Sequence, residues 1–95
     1  MNAELEKFIR VYLNFEEAYD TSGYLRPTLY ACSEAYSSAV REGLASVLAS
    51  RDLYVEDYEY LTGVEFGSEG KLYVYLQDMC DFLFDGAERQ PEPPE

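Results

Sequence analysis

Leu72-Tyr73-Val74-Tyr75-Leu76-Gln77-Asp78-Met79-Cys80-Asp81-Phe82-Leu83 is the stretch on which the fold class turns. Tyr73-Val74-Tyr75 alone is β-prone, because aromatic and β-branched side chains suit a pleated, half-buried surface. Over the longer span, Leu72, Tyr75, Leu76, Met79 and Leu83 recur at three- and four-residue steps, which lines them along one helical face. The longer pattern outweighs the triplet and predicts a helix. Ser68 is its N-cap, following the turn-like Gly67, and Gly86 stops it after Asp85. Asp78, Asp81 and Asp85 fall opposite the apolar stripe, with Val74 among them and Phe82 nearer the core boundary.

The same spacing yields three more helices towards the N-terminus. Asn2 caps the first, and Leu5, Phe8, Ile9, Tyr12, Phe15 and Tyr19 form its inner face until Thr21-Ser22-Gly23 breaks the pattern. The second is the longest, from Pro27 to about Ser50, with Leu29, Cys32, Tyr36, Val40, Gly43, Leu44 and Val47 inward. Ala31, Ala35, Ala39 and Gly43 recur every four residues along it and invite close approach of a neighbour. The third spans Val55 to Thr62, with Gly63 as its left-handed stop; Tyr54, Tyr58 and Leu61 share its inner face. Val64-Glu65-Phe66 then forms a brief connector that tucks Phe66 into the core. The expected fold is all-α: one bundle of about four helices over residues 1–86, with the second and last helices as the core pair. Residues 87–95, with Pro91, Pro93, Pro94 and three Glu, read as a disordered acidic tail.

Ninety-five residues suit one domain, and a 47% hydrophobic, 16% aromatic composition is enough for a core. Ten tyrosines against five Phe and no Trp supply side chains for core edges and contact surfaces. The net charge is −12, and it is uneven. Residues 1–51 hold seven acids and five bases, whereas residues 52–95 hold twelve acids and two bases, a net of −10. Such a chain repels nucleic acid and anionic membranes and draws basic partners. The longest unbroken apolar run, Leu72 to Leu76, is far short of the ~18 residues of a membrane span. The acidic N-terminus lacks a signal-peptide layout, so a cytoplasmic location is expected, with Cys32 and Cys80 reduced.

Catalytic chemistry finds little support. There is no histidine to act as acid, base or orienter near neutral pH. Cys32 and Cys80 lie on or beside apolar faces with no imidazole to activate them. Gly70-Lys71 resembles the end of a phosphate-binding loop, but Glu65 stands where a glycine is required and Leu72 where Ser or Thr is. No run matches a calcium loop, and Asp78, Asp81 and Asp85 on one helix face supply too few oxygens for a calcium site. No catalytic residue, cofactor or metal is assigned.

The acidic faces are the informative feature. Glu56, Asp57 and Glu59 surround Tyr60, which points away from Tyr58 and Leu61, while Asp78, Asp81 and Asp85 line the last helix. An aromatic within a charged surround is a common layout for an interface anchor. A solvated face is the plainer reading, yet helices 3 and 4 carry only Lys71 in compensation, and ordinary soluble helices mix both signs. These seven residues are therefore the expected partner-binding set. The function they imply is that of a small inhibitor or antidote blocking a basic site of a partner, such as a nuclease or nucleic-acid-binding protein. Toxin-immunity proteins and phage-encoded inhibitors share this physical type, although no motif links the chain to them. The alternative is a structural or assembly subunit, a homodimer or part of a larger complex, whose acidity serves solubility.

Overall fold

Helix prevails in the deciding stretch. The computed structural model describes residues 1–95, and it contains five helices and no strand. In chain order they are α1 (Ala3–Tyr12), α2 (Leu25–Ala31), α3 (Glu34–Ser50), α4 (Val55–Thr62) and α5 (Glu69–Phe84). In α5 the predicted stripe is buried and is widened by Tyr73 and Phe82, while Val74 stays 63% exposed. Ser68 caps α5 as expected, its hydroxyl accepting from the Lys71 N–H. No helix is long and apolar enough to cross a membrane.

Two local hydrogen-bonding residues redraw the N-terminal half: one splits the expected second helix, making five helices of four, and the other shortens the first. The long helix expected after Pro27 divides at Cys32-Ser33, because the Ser33 hydroxyl accepts from the Tyr36 N–H and starts α3 anew. Ser37 then donates to the Leu29 carbonyl at 3.0 Å, satisfying the end of α2. The first helix ends at Tyr12, a full two turns early. The Asn14 carboxamide accepts from the Glu16 and Glu17 N–H groups and donates to the Arg10 carbonyl, making a turn that competes with helix. Phe15 and Tyr19 consequently leave the core stripe and are exposed, and Leu13 and Ala18 are buried in their place. Tyr54, expected inward, sits at the N-cap of α4 and is also exposed.

The expected pairing of the long helix with the last is present, but the most extensive helix contact is between α1 and α3, which makes α3 the central helix. α3 packs against both α1 and α5, and α4 packs on α1. The close approach at Gly43 is made by the capping residue of α1. Asn2 donates to the Ala39 carbonyl at 2.7 Å, and a Cβ on Gly43 would lie 2.7–2.9 Å from the Asn2 side chain. Ala31 and Ala35, at the other end of the small-residue stripe, are exposed. Arg51 closes α3 in a left-handed conformation (φ 53°), held by an ion pair to Glu69 and by stacking on the Tyr73 ring. Gly63 closes α4 at φ 76°, and Phe66 enters the core between Tyr58 and Tyr75.

The tail expected to be disordered is folded onto the domain. Arg26 on α2 stacks on Phe82, donates to the Phe82 carbonyl at 2.8 Å and bonds the Ala87 carbonyl, so it serves the open C-terminal end of α5. Gln90 and Pro93 are buried; the Gln90 amide donates to the Asp20 carbonyl, and the Tyr19 hydroxyl bonds the Pro94 carbonyl. Composition marks this segment as polar and Pro-rich, but its partners lie some seventy residues away in sequence.

Candidate partner-binding surface

The acidic residues of α4 occupy distinct settings. Glu56 and Asp57 are exposed in its first turn, where carboxylates complement the helix dipole. Tyr60 is 82% exposed, more than any other large apolar side chain. Glu59 is half-buried and engaged: its carboxylate accepts from the Phe66 and Gly67 N–H groups at 2.8 and 3.3 Å, tying the connector to α4. Glu59 thus has a structural task that spacing alone does not reveal.

On α5, Asp78 is exposed, and Asp81 is half-buried and accepts from the Gln77 amide at 3.0 Å; Asp85, exposed, is the capping residue just after the helix. Asp78 and Asp81 share a cleft with residues 87–91, including Arg89, which forms no ion pair with either. None of the five main clefts is lined by residues from both the α4 and the α5 groups.

Charge on these surfaces is almost wholly uncompensated. The only ion pair in the molecule is Arg51 to Glu69 at 3.4 Å, with both side chains about half exposed. Asp20, in the loop before α2, has its carboxyl held below the usual range by hydrogen bonds from Ser22. The Tyr24 hydroxyl donates to Glu17 at 2.9 Å, and burial together with that carboxylate pushes it up to about 12. Burial, reinforced by Asp85 and Asp81 and opposed by Arg41, raises the Cys80 thiol, so it remains protonated near neutral pH. No three His, Cys, Asp or Glu side chains converge as metal ligands.

Comparison of the chain with protein-family models, curated proteins and solved structures finds no match. The geometry therefore stands alone. It offers acidic faces, exposed apolar side chains within them, and shallow clefts.

One feature of that geometry centres on Val74, which is not in the expected partner-binding set. Val74 stands between two clefts of about 370 and 430 Å³, both of which also touch Gly70 and Asp78. The spacing of Gly70, Val74 and Asp78 along one line of a helix was available in the sequence. The clefts were not, because one is walled by the C-terminal segment.

Proposed function

We propose that this protein is a small acidic binding module that docks on a basic site of a partner protein and blocks it. The partner class that fits is a nuclease or another nucleic-acid-binding protein, whose substrate groove carries the opposite charge. One observation carries the reading: nineteen carboxylates share a single ion pair with the seven Lys and Arg, so the acidic field is left free to act outward. A field of this kind accelerates encounter with a basic surface and repels nucleic acid itself. Inhibition is by occupancy, one module per site, with no bond made or broken. Exposed aromatics such as Tyr60 supply the apolar contact that charge alone does not.

The test is binding to a basic nuclease by calorimetry, with nuclease activity as a second readout. Between about 0.1 and 1 M salt the Debye length falls from about 10 to about 3 Å. Over that range the affinity is expected to weaken at least about tenfold, and inhibition to titrate to one equivalent. Affinity indifferent to salt sinks the proposal. The Tyr60→Ala, Asp57→Ala double variant is expected to weaken binding if α4 carries the contact.

A further inference from the structure

We infer that the paired clefts flanking Val74 on α5 are the seat for an amphipathic basic helix of the partner. This rests on the basic-partner reading above and gives it a location. Val74 is 63% exposed in the middle of a helix whose other apolar residues are almost all buried. Gly70, Val74 and Asp78 line up as one low ridge, since residues four apart on a helix fall in a row. Phe66, Tyr75, Pro91 and Pro94 wall the cleft on one side of the ridge. Leu48 and Tyr73 wall the cleft on the other. A ridge between two grooves is the surface against which a second helix packs, its own side-chain rows entering the grooves. Exposed Gly70 at one end of the ridge lets that helix come close.

Charge selects the occupant. At the Asp78 end, Asp78 and Glu92 line the cleft with Asp81 and Glu88 beyond; Arg89 is the one base there, and none of the five is in an ion pair. At the Gly70 end the bases are Lys71 and Arg51, the latter already bound to Glu69. A helix laid along the ridge is therefore held by Arg or Lys at its Asp78 end and by apolar side chains beside Val74. A second copy of this chain is a poorer occupant, because each copy carries a net charge of −12. The C-terminal segment belongs to the seat, with Gln90 on Asp20 and Tyr19 on Pro94 holding the wall in place.

Two synthetic peptides of equal charge, an amphipathic Leu/Arg helix and an oligoarginine, test this against the isotope-labelled full chain by NMR. The amphipathic peptide is expected to bind at least about tenfold more tightly, with amide shifts concentrated on residues 66–78 and 88–95. Val74→Gln, a neutral change at an exposed position, is expected to remove most of that advantage, whereas Val11→Gln, the same change at an exposed position on α1, leaves it unchanged. Equal affinities, with shifts spread over all carboxylates and Val74→Gln silent, overturn the seat while leaving the basic-partner reading standing. Binding of neither peptide removes both. A dimer of the free chain that dissociates in Val74→Gln assigns the surface to a second copy and overturns the inference.

Discussion

Tyr73 and Tyr58 are both buried tyrosines whose hydroxyls face opposite circumstances. The Tyr73 hydroxyl accepts from the Leu53 N–H at 3.1 Å and donates to the Leu53 carbonyl at 2.9 Å, which fastens the connector after α3 to α5. The Tyr58 hydroxyl is fully buried and has no hydrogen-bond partner. Removing a satisfied hydroxyl strands the backbone groups it served, whereas removing an unsatisfied one relieves a desolvation cost. At neutral pH, Tyr73→Phe is therefore expected to cost about 1–3 kcal/mol in urea unfolding. Tyr58→Phe is expected to be neutral or to stabilise by about 1 kcal/mol. The same burial sets the alkaline limit. Tyr24 is raised to about 12, and burial raises Tyr58 and Tyr75 as well, against an unfolded value near 10. Above pH of about 10 the unfolded chain loses these protons while the native chain keeps them, so stability is intact below that pH and falls as pH rises. Helical circular dichroism followed with tyrosinate absorbance should show unfolding begin there, and Tyr58→Phe should move the curve to higher pH. An unmoved curve would exclude Tyr58 as a contributor.

Helices α4 and α5 were legible because periodicity and caps agreed: Gly63 ends the one and Ser68 starts the other where the apolar pattern says they should. At α1 and at the α2–α3 junction the two signals conflicted. Phe15 and Tyr19 continue the spacing past Asn14, and Tyr36 continues it past Ser33, so periodicity carried the predicted helices through both breaks. Periodicity reports which face is apolar; it does not report a short polar side chain capturing the backbone. Asn2 shows how such a residue couples elements, since it caps α1 through the Leu5 N–H at 2.7 Å and also reaches α3 at Ala39. Gly43 exists to make room for it. Gly43→Ala gains about 1 kcal/mol of helix propensity, but the new Cβ collides with the pinned Asn2 side chain, so the variant is expected to be less stable. Asn2→Ala alone is expected to cost about 1–2 kcal/mol for the lost cap and cross-bond. Together the two changes should partly cancel, because Gly43→Ala becomes stabilising once Asn2 is gone. A double-mutant cycle by thermal or urea unfolding measures this coupling directly, and additive costs would refute it.

At the scale of the whole molecule, what sequence could not convey was long-range partnership. The exposure of Tyr60 and Val74 and the excess of acid over base could be read from spacing and composition. The clefts beside Val74 could not, because the wall between α5 and the loop before α2 is made by residues that composition marks as tail. The bonds that hold that wall span seventy or more residues, from Asp20 to Gln90 and from Tyr19 to Pro94. Deleting residues 87–95 sets two effects against each other. It removes three Glu and one Arg, a net of −2 out of −12, which relieves self-repulsion. Exposed charges of this kind are worth only a few tenths of a kcal/mol each in moderate salt. It also removes buried Pro93 and Gln90, frees Arg26 from the Ala87 carbonyl and uncovers part of Tyr75 and Phe82. Loss of two buried side chains and their apolar cover is on the order of 2–4 kcal/mol, so packing outweighs charge. The chain ending at Gly86 is expected to melt at least about 8 °C below the full chain. The deficit should persist at high salt, where repulsion is screened in both, and the full chain itself should melt higher as salt is added. Calorimetric scans of the two chains at low and high salt make the comparison. Equal midpoints would mean that the C-terminal segment contributes nothing to the fold in solution, and the α5 surface would then have to be drawn without its wall.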